Sequence, residues 1–566
     1  MGLLYDKGYG IDMRLRKRDR SQGSLIGRVV NNPLAQFAGV FSYAILLVMR
    51  VPLMNVIGDA GVGLFAPAFE LFFLITLITS YGMTNAISGI VRYRVKREQY
   101  RNAKRVFRAA FFMDLFFSVV AAVVVAATSR AIANILVLEP LSRMAVMAVA
   151  PVVIFASFIG TFRGYFNGYG LGVLTAHSQY IESISMVICV LFSSGLFYDH
   201  GLKIAALKQN EALAYAYGAL GAMIGVMLSQ LLTTIHLLMM YIIYAGTLRG
   251  KLGMDGSKRM ETQYSMQRMI LDNGVPIALV AILTNVFMLI DQRMFNYCMN
   301  KQEAEGARTV LWGSYYGKFA VFVGIGAVLG VLSVYALAVR ISNAYEREEY
   351  RVMRDRIGKA VRKLCIVTFP VAIYMAVLAK AAVTFMFTGE NDEIISWVQK
   401  GAVIIVLYGF CFLFGQLLYR MHMIRELLFT TLVSLLIHVL SAYLLVQRAY
   451  LGADGLVYSL IIFFAVYAAL NFFFISRNLK YRQEWFGSVI FPAVAAGVSG
   501  VVVGLANNLL LESVGGGLTV LIGVVAGLFF YVTFLMILRV IGEAELSRIP
   551  LGFFFIMLGK NIGVLK

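Results

Sequence analysis

Two apolar stretches near the start of the chain decide its fold. Residues 34–57 read LAQFAGVFSYAILLVMRVPLMNVI, and residues 62–91 read VGLFAPAFELFFLITLITSYGMTNAISGIV. Each has the roughly 20 apolar residues that an α-helix needs to cross a hydrocarbon layer about 30 Å thick. Further along the chain, similar runs predict twelve more transmembrane helices, at residues 107–128, 145–162, 173–198, 214–245, 274–299, 313–339, 364–388, 401–419, 427–447, 455–476, 488–511 and 516–538.

The composition excludes a single water-soluble globule. Of the 566 residues, 60% are apolar or aromatic and 14% are charged, whereas a soluble domain carries about 25% charged residues. The formal net charge of +20 would suggest nucleic-acid binding in a soluble protein. In a membrane protein, such an excess arises from basic loops on the cytoplasmic side, so we expect no nucleic-acid partner.

The distribution of Lys and Arg predicts the orientation. If the termini and the even-numbered loops share one side, that side holds 38 basic residues and the odd-numbered loops hold 8. The positive-inside rule then places both termini in the cytoplasm. We therefore expect a multi-pass, all-α membrane protein with about fourteen helices.

An internal repeat predicts two lobes with the same orientation. Pro33 precedes Arg50 by the same seventeen residues that separate Pro276 from Arg293, and REQYR at 97–101 is matched by REEYR at 347–351. A unit of six helices, an even number, gives a parallel repeat. The predicted segments are a basic cytoplasmic N-terminal segment (1–33), an N-lobe (34–245), a cytoplasmic linker (246–273), a C-lobe (274–476), two extra helices (488–540) and an amphipathic cytoplasmic C-terminal segment (541–566).

Ionisable residues within the predicted helices are the candidate site residues. An ion at a helix centre costs about 2.5–3.5 kcal/mol on insertion scales, so such residues should face a polar interior. Arg50 and Arg293 occupy matching positions of the repeat, and two arginines lining one cleft would bind phosphate well. Snorkelling to the headgroups stays an alternative for the basic residues, and pairing with an arginine for Glu70. The full set of predicted cavity residues is Arg50, Glu70, Arg163, Asp291, Arg293 and Lys318.

No catalytic motif is recognisable in the sequence. Walker, GxSxG and HExxH patterns are absent, and the five histidines lack metal-ligand spacing. We therefore expect a protein that is not an enzyme and has no cofactor. A coupling ion, H+ or Na+, could bind at Glu70 or Asp291, or the membrane potential could bias transport.

The sequence resembles the polysaccharide-flippase branch of the multidrug/oligosaccharidyl-lipid/polysaccharide (MOP) exporter superfamily, which includes stage V sporulation protein B and the lipid II flippases. The motif FRGYFNG at 162–168, followed by TA at 175–176, is similar to that branch's motif between spans four and five. RVPL at 50–53 resembles its first span, and Asp291 matches its seventh-span acid. The sequence departs from the pattern at Thr84, Asn167 and Leu174.

The resemblance implies a V-shaped pair of lobes in a bacterial cytoplasmic membrane. It implies alternating access that moves an undecaprenyl-pyrophosphate-linked oligosaccharide or peptidoglycan precursor to the outer leaflet, with Arg50 in a cationic cavity. The partners would be this lipid, the surrounding membrane lipids and the cell-wall synthesis machinery. Two alternatives remain: an ion-coupled multidrug exporter of the same superfamily, and a non-transporting scaffold for cell-wall or spore-coat assembly.

Overall fold

The computed structural model describes residues 37–257, 260–299, 305–387, 392–449, 451–547 and 552–561. Within these ranges the chain forms helices joined by short turns, and no strand occurs. The predicted basic segment 1–33, which includes Pro33 of the repeat, lies outside the described residues. The predicted C-terminal segment 541–566 is described only in part.

All fourteen predicted transmembrane helices correspond to helical segments. Thirteen segments in the described ranges are long and apolar enough to span a membrane, and the first of them, Ala38–Lys96, contains the first two predicted spans. The helices are α1 (Ala38–Thr76), α2 (Met83–Lys96), α3 (Tyr100–Ala131), α4 (Arg143–Gly168), α5 (Gly172–Lys208), α6 (Ala212–Gly253), α7 (Gln263–Asn285), α8 (Phe287–Met299), α9 (Glu305–Ser314), α10 (Ala320–Glu346), α11 (Tyr350–Val377), α12 (Ala379–Met386), α13 (Asp392–Gly401), α14 (Val403–Arg420), α15 (Ile424–Ala442), α16 (Gly452–Leu479), α17 (Phe491–Val514), α18 (Gly516–Ile537), α19 (Glu543–Leu546) and α20 (Gly552–Asn561).

Helix α1 contains two spans because it folds back at Gly58. A straight helix of 39 residues would be about 58 Å long, twice the hydrocarbon thickness. Gly58 has φ 69° and ψ 172°, a conformation that glycine adopts without a Cβ penalty. The two arms of α1 are close enough for Arg50 to contact Glu70.

The turns that follow spans two and eight have the same backbone feature at matching positions of the predicted repeat. Glu98 has φ 58° and Glu348 has φ 60°, and these residues hold the same position in REQYR and REEYR. The turns after spans four and ten are also alike, with Gly170 at φ 79° and His422 at φ 60°. We call the surface that carries these turns the near face. The opposite surface, which carries Gly58 and the turn at Leu138, is the far face.

The predicted linker 246–273 is partly helical, because α6 continues to Gly253 and α7 begins at Gln263. Between them, Asp255 accepts hydrogen bonds from the Arg101 amide and the Ser257 hydroxyl, each at 2.9 Å. Burial raises the pKa of the Asp255 carboxyl, but these bonds and the Arg101 charge outweigh it, so the pKa lies below its usual value. The linker is therefore docked on the near face.

The last two spans pack on the C-lobe. The Tyr374 hydroxyl of α11 lies 2.9 Å from the Ser499 hydroxyl of α17, and the Tyr531 hydroxyl of α18 donates to the Ile366 carbonyl at 2.9 Å. Helices α17 and α18 thus form a hairpin against α11.

Candidate functional site

Polar contacts join the two lobes at the far face. Lys318 Nζ lies 2.8 Å from Asp59 Oδ2, which also accepts the Ser314 hydroxyl at 2.7 Å. Thr309 donates to Glu139 Oε2 at 2.8 Å. These far-face contacts join two segments of the N-lobe, the bend of α1 and the turn before α4, to one segment of the C-lobe. That segment consists of helix α9 and the residues directly after it.

Backbone packing at the same place is very close. A Cβ built on Gly313 would lie 1.8 Å from the Asp59 carbonyl oxygen, and one on Gly63 would lie 2.3 Å from the Thr309 carbonyl oxygen. The glycines at 63 and 313 therefore allow the two lobes to touch through their backbones. In this conformation, the far face between the lobes is closed.

Arg50 is part of a buried cluster that also joins the lobes. Its Nη1 donates to the Tyr316 carbonyl at 3.1 Å, and its guanidinium stacks 3.8 Å from the centre of the Tyr316 ring. Arg50 Nη2 lies 3.7 Å from Glu70 Oε1, which accepts the Tyr316 hydroxyl at 2.8 Å. The cation that was predicted to line a cleft is thus held by a carboxylate, a carbonyl and an aromatic face.

Lys318 and Glu70 are predicted site residues whose contacts lie between the lobes. Lys318 pairs with Asp59, as described above, and its Nζ lies 5.3 Å from the centre of the Phe387 ring. Neither ion faces lipid, since Lys318 is 6% exposed and Glu70 is 9% exposed. Their contacts in this conformation hold the lobes together.

Arg293 lies elsewhere, and the expectation that it shares one cleft with Arg50 is not met by the described contacts. The Arg293 side chain is exposed and donates to the Ile135 and Leu136 carbonyls, the latter at 3.2 Å. These carbonyls follow the C-terminal end of α3, where a cation is favoured. Matching positions in a repeat fix similar depths, but they do not fix which way each side chain points around its helix.

Asp291 is fully buried in the C-lobe beside a histidine. Its Oδ1 lies 2.8 Å from His438 Nε2, and both side chains have zero exposure. His438 Nδ1 lies 3.1 Å from the Ser459 carbonyl, while Asp291 Oδ2 has no hydrogen-bond partner among the described residues. His438 was not among the residues predicted for the site, although a histidine in the middle of an apolar span was an available signal.

Arg163 stabilises the interior of the N-lobe. Its Nη2 lies 2.6 Å from Glu182 Oε2, and its Nε donates to the Ser178 hydroxyl at 2.8 Å. Gln230 completes the network by donating to Glu182 Oε1 at 2.7 Å. This network joins α4, α5 and α6, and its contacts are all within the lobe.

A cavity of about 360 Å³ lies between the lobes. It extends from Tyr419, in the last near-face turn of α14, to Phe463 at mid-depth in α16. None of its lining residues is charged, and five are tyrosines. The lining consists of Tyr43, Leu77, Tyr81, Ile277, Val280, Ala281, Thr284, Asn285, Phe287, Tyr408, Cys411, Phe412, Gly415, Gln416, Tyr419, Leu427, Phe463, Phe464 and Tyr467.

Two arginines lie close to this uncharged cavity without lining it. Tyr43 precedes Arg50 by seven residues, about two helical turns or 10 Å, on the same arm of α1, so the Arg50 cluster lies deeper in the membrane than this wall of the cavity. Arg420 directly follows Tyr419 of the cavity wall, at the near-face end of α14. The sequence predicted a cationic cavity, whereas the structure has an aromatic cavity with cations near each end.

Comparisons with known proteins agree with this architecture. Residues 35–341 match the family described as "Polysaccharide biosynthesis protein". Stage V sporulation protein B of Bacillus subtilis (strain 168) is 21% identical over 523 residues, which cover 91% of this chain and 96% of that protein. Lipid II flippase MurJ of the same organism is 19% identical over 384 residues, 64% of this chain and 67% of the relative.

Solved structures share the fold at low identity. An inward closed conformation of the lipid II flippase MurJ superposes with a TM-score of 0.63 at 12% identity, covering 89% of this chain and 98% of that chain. An inward-facing multidrug resistance MATE family transporter of the MOP superfamily gives a TM-score of 0.56 at 16% identity, covering 78% and 94%. These likenesses show the two-lobed helical fold.

Proposed function

Because the chain belongs to the polysaccharide biosynthesis protein family and to the MOP exporter superfamily, we propose that it flips a lipid-linked glycan across the membrane. The substrate would be an undecaprenyl-pyrophosphate-linked oligosaccharide or peptidoglycan precursor, which moves from the inner to the outer leaflet of the bacterial cytoplasmic membrane. With both termini cytoplasmic, as the basic loops predict, the near face is cytoplasmic. Cell-wall synthesis enzymes would then supply or use the substrate.

The position of the cavity relative to the far-face contacts carries the proposal. Alternating access requires a central site that is closed on one side at a time, with two arrangements of the same lobes. Here the cavity lies toward the near face, the Arg50 cluster lies about two helical turns beyond Tyr43 of its wall, and the Asp59–Lys318 contact, at 2.8 Å, lies farther still along α1. This conformation has the far-side closure expected of a cytoplasm-facing state.

Arg50 remains the residue we propose for contact with the pyrophosphate. It lies about two helical turns beyond Tyr43 of the cavity wall, and its carboxylate contact with Glu70 is long, at 3.7 Å. A phosphate oxygen would compete with Glu70 for the guanidinium fork, since arginine binds phosphate through several N–H groups at once. Release of Glu70 would also weaken the link through Tyr316, so substrate binding and opening of the lobes would be coupled.

We propose that a proton at the Asp291–His438 pair supplies the energetic bias. A buried charge needs a partner or neutralisation, and these two side chains touch only each other and a carbonyl among the described polar groups. A sodium ion prefers several oxygen ligands, but one Asp291 oxygen is already occupied by His438. A protonated His438 would neutralise Asp291. The pair can therefore exist in two states, with and without this proton.

A multidrug exporter is the second candidate, because the uncharged aromatic lining would also suit a hydrophobic drug. The two functions differ in substrate polarity. An exporter would lower the toxicity of hydrophobic cations in cells, whereas a glycolipid flippase would not.

The test is leaflet-resolved accessibility of lipid-linked precursors in cells depleted of this protein. A flippase predicts that precursors accumulate where an outer-leaflet probe cannot reach them, and that wild-type protein restores access. An unchanged outer-leaflet pool would reject the flippase function. Resistance to a drug panel, measured in the same cells, tests the exporter.

A further inference from the structure

The cavity between the lobes has a chemistry that the expected cationic site does not explain. Its walls present the rings of Tyr43, Tyr81, Tyr408 and Tyr419, together with several phenylalanines. Tyr43 and Tyr81 are 45% and 43% exposed, although both lie on spans that face the other lobe. Aromatic rings that are left uncovered inside a membrane protein indicate a ligand that covers them.

Some polar atoms of the cavity wall are also available, although Thr284 and Asn285 already donate to backbone carbonyls. Among the described residues, no hydrogen bond joins the hydroxyls of Tyr43, Tyr81, Tyr408 and Tyr419 to another protein group, and none is made by the amide of Gln416. These atoms are not among the buried polar atoms that lack a partner, so water can reach them, and a ligand that displaces this water has to replace its hydrogen bonds. The cavity therefore suits a ligand that brings both apolar surface and hydrogen-bonding groups.

Four candidate ligand chemistries can be compared against this lining. A polyprenyl chain would cover the rings but leave the hydroxyls and the Gln416 amide unpaired. A diphosphate would need a cation, and the lining residues include none. A cationic drug could lie on the tyrosine rings through cation–π contacts, but an ammonium group accepts no hydrogen bond from the tyrosine hydroxyls or the Gln416 amide. An uncharged pyranose ring fits both properties, because its C–H groups can lie on the electron-rich face of an aromatic ring while its hydroxyls form hydrogen bonds around the edge.

We propose that this cavity binds an uncharged pyranose ring of the lipid-linked substrate, stacked on Tyr81 and Tyr408. The proposal rests on the flippase function proposed above and adds a sugar subsite to it. The volume of about 360 Å³ lies near the small end of ligand cavities, which run from about 300 to 1,000 Å³. The subsite therefore accommodates the sugar nearest the lipid rather than a whole glycan.

The test measures binding of defined lipids to the full-length protein in nanodiscs. The probes are undecaprenyl pyrophosphate without sugar, and the same lipid carrying one glucosyl, galactosyl or N-acetylglucosaminyl residue. The variants are Tyr408→Leu and Tyr81→Leu, which remove a ring, and Tyr408→Phe, which removes only the hydroxyl. Tyr458→Leu is the matched control, because Tyr458 is 39% exposed and does not line the cavity.

We expect wild-type protein to bind at least one glycosylated lipid more tightly than the bare lipid. Each Tyr→Leu change in the cavity should reduce this preference by about tenfold, with a smaller loss in Tyr408→Phe and none in Tyr458→Leu. Tyr81 is exposed, so Tyr81→Leu keeps the test decisive if Tyr408→Leu does not fold. Binding of the bare lipid should stay unchanged in all variants.

Two results would overturn the subsite. One is equal binding of bare and glycosylated lipids by the wild type. The other is a sugar preference that survives both Tyr→Leu changes. Either result leaves the flippase function standing if bare lipid binds, whereas a protein that binds none of the four lipids loses both proposals.

Discussion

Arg50 Nη2 lies 3.7 Å from Glu70 Oε1, although the two residues are twenty positions apart in one continuous helical stretch. In a straight helix they would be separated by about 30 Å. The contact exists because α1 reverses at Gly58, and it places a buried ion pair where the first two spans meet the Tyr316 ring of the other lobe. Removal of either charge should therefore affect both stability and transport.

Removing one partner of this ion pair should lower the stability of the protein more than removing both. The Arg50 and Glu70 side chains are 10% and 11% exposed, and breaking a buried pair costs about 3–5 kcal/mol because one charge stays unpaired. We expect lower thermal stability in Arg50→Met and in Glu70→Gln, and recovery of most of it in the double variant. Unfolding in nanodiscs measures this.

The double variant also separates structure from function. If Arg50 contacts the pyrophosphate, Arg50→Met with Glu70→Gln should be stable and should fail to transport. Additive destabilisation by the two changes would show that they do not act as a pair. Normal transport by the double variant would remove Arg50 from the substrate site.

The Asp59–Lys318 pair should control closure of the far face. Asp59→Asn weakens a 2.8 Å contact with Lys318, and a hydrogen bond to a charged group contributes about 1.5–3 kcal/mol. The population that is open at the far face should rise by about ten- to a hundredfold. Spin labels on the exposed residues Asn134 and Gln399, one in each lobe, should then report longer distances.

The control for this measurement is another Asp→Asn change in an ion pair. Asp272 pairs with Arg268 at 3.7 Å, and both side chains are more than 60% exposed. Asp272→Asn should leave the distance distribution unchanged. A distribution that is identical in wild type and Asp59→Asn would mean that the pair does not hold the far face closed.

His438→Gln should uncouple transport from the proton gradient. Glutamine can still hydrogen-bond Asp291, but it cannot carry the charge that a protonated histidine brings to the buried pair. In proteoliposomes, we expect an imposed pH gradient to accelerate transport by the wild type and by the exposed His200→Gln control, but not by His438→Gln. Acceleration by a sodium gradient alone, or an unaffected His438→Gln protein, would contradict proton coupling at this pair.

The near-face linker should resist mild acid. The Asp255 pKa is lowered in the folded protein, so its contribution to stability is fully present above the usual carboxyl pKa of about 3.9 and is lost only as the pH falls through the lower folded value. Hydrogen exchange at the Gly256 amide, which donates to the Glu98 carbonyl at 2.9 Å, should stay slow at pH 5.

Asp255→Asn should make the Gly256 amide exchange faster at pH 7, because the charged acceptor for the Arg101 amide is gone. As a matched change, Asp355→Asn at an exposed position should have no effect on the linker, since Asp355 pairs with Lys359 in its own helix. Faster exchange in the wild type already at pH 5 would contradict a lowered Asp255 pKa.

The helices could be predicted from the sequence because membrane-spanning length and apolarity are local properties. In the sequence, the short break at 58–61 separates the first two predicted spans, which form one helical stretch in the structure. The REQYR and REEYR segments indicated the repeat, and both contain a residue with positive φ. The predicted helix bounds were less accurate at the near face, where α6 and α7 extend into the predicted linker. Polar helix ends lack a hydropathy signal.

The site was less predictable because side-chain partners depend on the rotation of each helix. Depth alone suggested that Arg293 would resemble Arg50, yet it contacts carbonyls at the end of α3. His438 gained meaning only when the fold placed it beside Asp291. The tyrosines of the cavity come from separate spans, so no local motif could group them.

Reconstituted flipping tests the central claim most directly. Purified full-length protein is placed in vesicles with an undecaprenyl-pyrophosphate-linked disaccharide that carries a fluorophore on the sugar, and an impermeant quencher is added outside. We predict that fluorescence falls to well below half of its initial value, because inner-leaflet lipid reaches the outside. Vesicles that contain the Arg50→Met, Glu70→Gln protein should behave like protein-free vesicles. If fluorescence with the wild type falls only to half of its initial value, as it does without protein, the proposed flipping is contradicted.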